Sequence, residues 1–344
     1  MLTAAAPAPA PIGIGINYIW WRLTPVSLAQ CRADGEPLAS GNFFLPFYQD
    51  PVVRAEVRRQ LAAMHASGFT TLRVLVFYYH TTDASSADSF VGTNGNLRVP
   101  DRAKLRDFVT DVAEAKFARL EVVPSFQAEN WIYCRKHDWG DCFEPSRTDE
   151  NWRFIRETAR IAIGAARDMD VRLDLANEGA PDPTMNAKTL KRASAYLQAV
   201  AGRFQTEFGS AWTISTARSQ ASAAGETSNR LELLVQDLGA AGLVPRYLEL
   251  HTYSADGNDV TESLDELNAI ATRIGAKEIL GELSYHASVQ AGAIAGWLRR
   301  HASAPVVDLI QWPEYDPYLA CAPMPQPPYS PGPYSTIHER VAGR

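Results

Sequence analysis

The sequence predicts an α/β fold of one kind, a (β/α)8 TIM barrel. Short apolar runs alternate strictly along the chain with longer segments whose apolar residues recur at helical spacing, which is typical of a parallel sheet. Eight strand–helix units fit into the 344 residues, and this number suits a closed barrel better than an open sheet. No Gly-x-Gly-x-x-Gly turn follows the first strand, so a dinucleotide-binding sheet is not favoured.

The first three units set the pattern. The run IGIGINYIW at 12–20 is predicted as the first strand. The segment 51–68 has apolar residues at helical spacing and ends on glycine, a common helix stop signal. The β-branched, apolar run at 70–79 follows as the second strand, and RLEVVPSF at 119–126 follows the next helical segment as the third.

The same unit recurs through the rest of the chain. The remaining predicted strands are 171–178, 211–217, 246–253, 277–284 and 305–312. No shift in composition marks a second domain, so we expect residues 12–344 to form a single barrel domain with a Pro-rich C-terminal wrap. Residues 1–11 are Ala/Pro-rich and are interpreted as a disordered leader, or as a linker left after an export signal was removed.

Composition and charge exclude several classes of protein. The sequence is 46% hydrophobic and 21% charged, which is ordinary for a globular protein. A net charge of −6 gives no reason to expect nucleic-acid binding. No apolar run reaches the roughly 18 residues that a membrane-spanning helix needs. We therefore expect a monomer that binds neither nucleic acid nor membrane.

The cysteines bear on the compartment. Cys134 and Cys142 lie in a polar, Gly-containing stretch, and their spacing suits a disulfide that closes a loop. A zinc site is less favoured, because the sequence has no Cys-x-x-Cys pair and His137 is the only histidine nearby. Cys31 and Cys321 lie in segments that a closed barrel brings near each other, so a second disulfide is possible. Disulfides indicate an oxidising compartment, and we expect a secreted or periplasmic protein.

Two glutamates stand where predicted strands end. Asn177 and Glu178 close the fourth strand in LDLANEGAPDP, and Glu282 closes the seventh in ILGELSYH. Strands four and seven lie on opposite sides of an eight-stranded barrel, and its active sites lie at the C-terminal strand ends. A pair of facing glutamates suits glycosidic bond cleavage, and a separation of about 5–5.5 Å predicts retention of configuration. The alternative for Glu178 is a helix cap, but Gly-Ala-Pro-Asp-Pro follows it and delays any helix.

With these motifs the sequence resembles the clan A glycoside hydrolases, and most closely the family 5, cellulase-like branch. The resemblance implies that Glu178 is the acid/base, that Glu282 is the nucleophile, and that Asn177 binds the sugar 2-hydroxyl. Two departures stand out: the usual Asn-Glu-Pro is Asn-Glu-Gly here, and the histidine expected after strand three is absent, with Gln127 or Asn130 nearest.

The resemblance also assigns roles around the pair. Arg73 and Tyr253 match the residues that hold the nucleophile, although Arg73 could instead form a structural ion pair. His251, in HTY, matches the family's strand-six histidine or is a core histidine with its bonds satisfied. The remaining candidates for substrate binding are aromatic or polar residues near strand ends, for which core packing is the alternative: Trp312, Trp131, Trp20 and Gln127.

These assignments predict a retaining hydrolase that acts on a polysaccharide or oligosaccharide with β-linkages and needs no metal or organic cofactor. We expect the negative charge on Glu282 to keep Glu178 protonated near neutral pH until the leaving oxygen takes the proton. One alternative is a catalytically inactive barrel that only binds carbohydrate. Another is a metal-dependent barrel hydrolase, which would require a His-x-His on strand one, and GINYIWW has none.

Overall fold

The computed structural model describes residues 12–18, 44–80, 90–92, 94–126, 130–133, 143–218, 226–253, 256–283, 288–301 and 304–312. Its parallel strands form a nearly closed barrel with helices between them, which confirms the predicted fold class. The barrel strands are β1 (Gly13–Asn17), β2 (Thr71–Tyr79), β3 (Arg119–Phe126), β4 (Asp170–Asp174), β5 (Trp212–Thr213 and Ser215–Arg218), β6 (Tyr247–Thr252), β7 (Lys277–Leu283) and β8 (Val306–Gln311). A two-residue strand, Phe90–Val91, pairs in parallel with the end of β2.

The barrel closes through β1 and β5. Strand β1 pairs with both β2 and β8, although it stands first in the chain and β8 last. The two pieces of β5 are separated by Ile214; the first piece pairs with β4 and the second with β6. Each of the eight strands therefore has a parallel neighbour on both sides.

The helices cover the outside of the barrel. They are α1 (Pro51–Ala66), α2 (Val99–Glu114), α3 (Arg147–Ala165), α4 (Ala187–Phe208), α5 (Glu226–Ala240), α6 (Gly257–Ile274) and α7 (Ser288–Arg300). Side chains cap several of the starts, as when Asp50 accepts the backbone N–H of Val52 at 2.8 Å. None of the helices in the described ranges is long and apolar enough to cross a bilayer.

The layer between sheet and helices is apolar, whereas the barrel interior is ionic. TIM barrels usually fill the interior with branched apolar side chains. In this barrel the Arg172 guanidinium donates to Glu121 at 2.5 Å and to Asp308 at 2.6 Å, with all three side chains buried. Above them, Arg73 donates to Glu121 at 2.6 Å. A column of paired charges therefore runs up the barrel axis to the C-terminal strand ends.

The end of β4 differs from the prediction. We expected this strand to continue to residue 178, but it ends at Asp174. The Asp174 carboxylate accepts the N–H of Ala176 at 3.3 Å and that of Ser215 on β5 at 3.2 Å. These side-chain bonds replace ladder bonds, and the chain leaves the sheet into the turn that carries Glu178.

Candidate active site

Arg73 is the centre of the site. It lies on β2, it has no exposed surface, and its Nη1 donates to Glu282 Oε1 at 2.6 Å. Its Nη2 donates to the Asn177 side-chain oxygen at 2.7 Å and to Asp174 at 3.3 Å. A buried guanidinium is stable only when its donors are used. Arg73 thus joins β2 to the C-terminal ends of β4 and β7.

Glu282 is bonded on both oxygens. While Oε1 accepts from Arg73, Oε2 accepts a short hydrogen bond from the Tyr253 hydroxyl and another from Trp312 Nε1 at 3.1 Å. Only 4% of the Glu282 side chain is exposed. Donors of this kind fix the orientation of the carboxylate. Burial and the charges of Glu282 and Glu178 raise the pKa of Tyr253, so its phenol remains a donor.

Glu178 lies in a tight turn after β4. Its φ is +51°, and the N–H of the following Gly179 donates to Ala176 O at 2.8 Å. A Cβ on Gly179 would lie 2.5 Å from the Ala176 Cβ. Proline could neither donate this bond nor fit this space. The turn therefore explains why the chain carries Asn-Glu-Gly in place of Asn-Glu-Pro.

The two glutamates meet at the barrel mouth. An oxygen of Glu178 and an oxygen of Glu282 lie within 4.8 Å of each other, and the His251 Nδ1 lies within the same distance of both. The Glu178 side chain is 35% exposed, against 4% for Glu282. One carboxyl thus reaches solvent and the other is held below it, close enough for both to contact one small group.

His251, on β6, lies among three carboxylates. Its Nδ1 lies 3.2 Å from Glu178 Oε1 and 3.5 Å from Glu282, and its Nε2 lies 3.1 Å from Glu249 Oε1. Both ring nitrogens can donate only when the ring is an imidazolium. Burial lowers the pKa of His251, but the charge of Glu282 and the hydrogen bonds with Glu178 and Glu249 outweigh it and raise the pKa to about 10.

This imidazolium changes the expected behaviour of Glu178. Burial raises the pKa of Glu178, but the hydrogen bond and charge of His251, together with the charge of Arg73, lower it below its ordinary value. We expected Glu282 to keep Glu178 protonated near neutral pH. The structure instead places the His251 ring 3.2 Å from Glu178, and its positive charge favours the ionised carboxylate of Glu178.

Two sets of side chains have the spacing of metal ligands. Among the described residues, Glu178, His251 and Glu282 form one set, and Asp174 and Glu249 form the other with His251. The Arg73 guanidinium already contacts a carboxylate of each set, Glu282 at 2.6 Å and Asp174 at 3.3 Å. The protein therefore supplies its own cation at this position.

The other predicted residues are placed as follows. Trp131 is half-buried and packs edge-on against Tyr133, with ring centroids 5.8 Å apart. Asn130 donates to the Asn151 side chain at 2.6 Å, and both residues are buried. It therefore belongs to the scaffold. Trp20, Gln127 and all four cysteines lie outside the described residues, so both disulfide predictions stand untested.

Several residues of the site were not predicted from the sequence. Asn17, on β1, accepts from Arg73 at 2.9 Å and donates to Gly281 O at 3.1 Å. Glu249 precedes His251 by two positions in LELHTY, so the two side chains share a face of β6. A charged residue inside an apolar strand was the available signal, and the same signal marks Glu121 in RLEVVPSF.

Comparison with solved structures places this geometry in a known fold. A β-mannanase from the blue mussel Mytilus edulis covers 97% of this chain, and the match spans 92% of that enzyme, at 12% identity and a TM-score of 0.53. A GH26 β-mannanase from Bacteroides ovatus matches 96% of this chain and 89% of its own, at 10% identity and a TM-score of 0.51. The chain has the fold of clan A glycoside hydrolases.

A third structure extends the range of activities on this clan A fold. A GH5-4 broad-specificity endoglucanase from Clostridium longisporum matches 88% of this chain and 85% of its own, at 12% identity and a TM-score of 0.50. No protein-family model matches the sequence, and no curated protein matches it at a significant level. At these identities the likeness establishes the fold, and the function must be argued from the site.

Proposed function

We propose that the protein is a retaining glycoside hydrolase that cleaves a β-linked polysaccharide or oligosaccharide. The observation that carries this proposal is the approach of Glu178 and Glu282 to within 4.8 Å at the C-terminal mouth of the barrel. Retaining enzymes hold their two carboxyl groups about 5–5.5 Å apart, whereas inverting enzymes need about 6.5–9.5 Å to admit a water molecule. An approach of one oxygen from each carboxyl to within 4.8 Å is closer than the inverting arrangement requires, and it supports a double displacement.

In the first half-reaction Glu282 attacks the anomeric carbon. Arg73, Tyr253 and Trp312 hold its carboxylate, so attack requires no reorganisation of the nucleophile. A bond forms between a Glu282 oxygen and the anomeric carbon while the bond to the leaving oxygen breaks. Glu178 donates its proton to that oxygen, and a glycosyl ester of Glu282 remains.

In the second half-reaction Glu178 acts as the base. The ester carries no negative charge, so the repulsion that favoured a proton on Glu178 disappears. Glu178 then takes a proton from water, and the hydroxide oxygen displaces Glu282 from the anomeric carbon. The His251 imidazolium, 3.2 Å from Glu178, favours the carboxylate needed in this step.

His251 also bears on the first step, which requires a protonated Glu178. A cation beside the acid makes protonation harder, so the acid form should be populated mainly at acidic pH. We therefore expect the rate of glycosylation to be highest below neutrality.

The activities of the enzymes with similar structures suggest substrates to test. They include β-mannanases, a broad-specificity endoglucanase and a β-1,4-galactanase. We propose a β-linked glucan or mannan as the substrate, with Asn177 on the sugar 2-hydroxyl and Trp312 beneath the ring. Because such polymers lie outside cells, we further propose that the protein is secreted or periplasmic, which fractionation of the producing cells tests. We also propose that it is a monomer, which size-exclusion chromatography tests.

The experiment is a reducing-sugar assay on β-1,4-glucan, β-1,4-mannan, β-1,4-xylan and β-1,4-galactan. Wild-type protein should release reducing ends from at least one polymer, and NMR should show the β-anomer forming first. Glu282→Gln and Glu178→Ala should each lose more than about 99% of this activity, because each removes one of the two essential carboxyls.

Glu278→Gln is the matched control. Glu278 is a second buried glutamate on β7, near the opposite end of the strand from Glu282, and burial raises its pKa to about 8. The Glu278→Gln variant should retain full activity. Heat released on sugar binding with no reducing ends formed would instead favour the carbohydrate-binding alternative.

A further inference from the structure

The backbone at Glu178 has an uncommon conformation. Three non-glycine residues in the described part of the chain have positive φ: Lys116, Arg167 and Glu178. Lys116 and Arg167 directly follow the ends of α2 and α3, where a left-handed residue is common. Glu178 follows a strand and has no such reason. Strained residues of this kind persist only where surrounding contacts determine them.

Ser215 holds one side of the turn. Its Oγ accepts the Glu178 N–H at 2.7 Å, and its backbone oxygen accepts the Ala180 N–H at 3.1 Å. The Ser215 hydroxyl donates to Asp174 Oδ2 at 2.6 Å. A hydroxyl has a single proton, so this bond to Asp174 leaves the oxygen lone pairs facing Glu178.

Tyr133 holds the other side. Its hydroxyl donates to Gly179 O at 2.8 Å, and the residue is 7% exposed. The peptide that precedes Glu178 is bonded through its N–H by Ser215 Oγ, and the peptide that directly follows Glu178 is bonded through the Gly179 N–H to Ala176 O. The next peptide, between Gly179 and Ala180, is held on its oxygen by Tyr133 and on its N–H by the Ser215 backbone oxygen, so three consecutive peptides of the turn are fixed.

We propose that Ser215 and Tyr133 are positioning residues that hold Glu178 in its left-handed conformation, so that its carboxyl reaches the leaving oxygen. The inference rests on the function proposed above. If either bond is lost, the backbone of Glu178 can relax toward an ordinary conformation, and the carboxyl moves with it. A shift of about 1 Å in a reacting group can reduce the rate by about 100-fold.

The test separates proton donation from the rest of the reaction. A sugar hydroxyl is a poor leaving group and needs the acid, whereas dinitrophenolate leaves without a proton. The probes are the polymer that the wild type cleaves best and the 2,4-dinitrophenyl β-glycoside of the matching disaccharide. The measured quantity is kcat/KM, which reports the glycosylation step.

For Ser215→Ala, kcat/KM on the polymer should fall about 10- to 100-fold, while kcat/KM on the dinitrophenyl glycoside stays within about twofold of wild type. Tyr133→Phe keeps the ring and should show the same selectivity with a smaller loss. Thr216→Val is the matched control. It removes the neighbouring buried hydroxyl, which has no hydrogen-bond partner among the described residues, and both activities should be unchanged.

Two results would overturn the inference: an equal loss on both substrates, which indicates general damage to the fold, or no loss on the polymer. If Ser215→Ala does not fold, Tyr133→Phe decides by the same criterion. A wild-type protein that is inactive on every polymer and glycoside would instead refute the proposed function itself, so the two failures are distinguishable.

Discussion

Replacement of Arg73 by methionine tests the electrostatics of the site. The guanidinium is fully buried and lies 2.6 Å from Glu121, 2.6 Å from Glu282 and 3.3 Å from Asp174. Methionine fills a similar volume but carries no charge. The variant must therefore keep several buried carboxylates without one of their cations, or bind protons instead.

The size of the effect follows from these contacts. Burial raises the pKa of Glu121, but the charges of Arg172 and Arg73 outweigh it and hold the pKa at about 2. That displacement corresponds to about 3 kcal/mol, which the two arginines share. With Asp174 and Glu282 also deprived of this cation, we expect Arg73→Met to lower the free energy of unfolding by about 3–5 kcal/mol. In a chain of 344 residues that is a fall in Tm of about 4–7 °C.

The pH dependence gives the sign of the effect. A carboxyl whose pKa is lowered in the folded state stabilises the protein above its unfolded pKa, and this stabilisation is lost as pH falls through the folded pKa. The wild type has this contribution from Glu121 at pH 7 and the variant has little of it. The difference in Tm should therefore be large at pH 7 and clearly smaller at pH 3, which lies between the folded and unfolded pKa values of Glu121.

Thermal unfolding followed by circular dichroism at both pH values measures the difference. The control is Arg273→Met, because Arg273 is 54% exposed and its pair with Glu232 has a similar distance, 2.6 Å. An exposed pair contributes about 1 kcal/mol at most, so this variant should stay within about 2 °C of wild type. A Tm for Arg73→Met within about 2 °C of wild type at pH 7, or a difference that does not shrink at pH 3, would contradict this explanation.

Three further predictions concern individual contacts. His251→Asn removes the cation that lowers the pKa of Glu178, so the alkaline limb of the kcat/KM profile should move to higher pH; a move to lower pH contradicts this. Trp312→Phe keeps an aromatic ring but removes the N–H that bonds Glu282 at 3.1 Å, and kcat should fall by about tenfold with Tm unchanged; wild-type kcat would argue against a role for this bond. Gly179→Pro places a ring in the turn and removes an N–H donor, so Tm should fall by several degrees; an equally stable variant would mean that the turn is described wrongly.

The sequence was sufficient for the fold and for the positions of the two glutamates. Strict alternation of strand and helix patterns has few solutions at this length, and a barrel brings the C-terminal strand ends together whatever the details of packing. Glu178 and Glu282 are 104 residues apart and still meet, because each lies at or just beyond the end of its strand.

The proton chemistry was harder to predict. It depends on which side chains enter the barrel from neighbouring strands, and therefore on register. Glu249 reaches His251 partly because Gly281, on the adjacent strand, leaves the space that its carboxyl occupies. Likewise, Ser215 reaches the Glu178 N–H because β4 ends early. The contact between Ser215 and Glu178 has no local signal in the sequence, whereas the two-residue spacing of Glu249 and His251 indicates only that they share a face of β6.

The central claim is that Glu282 forms a covalent bond with the sugar. The most direct measurement is mass spectrometry of protein incubated with a 2,4-dinitrophenyl 2-deoxy-2-fluoro-β-glycoside, whose fluorine slows release of the intermediate. We expect the mass to increase by one fluorosugar unit, and digestion should locate this unit in the peptide that contains Glu282. The Glu282→Gln variant should show no such increase. A label on any other residue, or no label on a protein that turns over the unfluorinated glycoside, would contradict it.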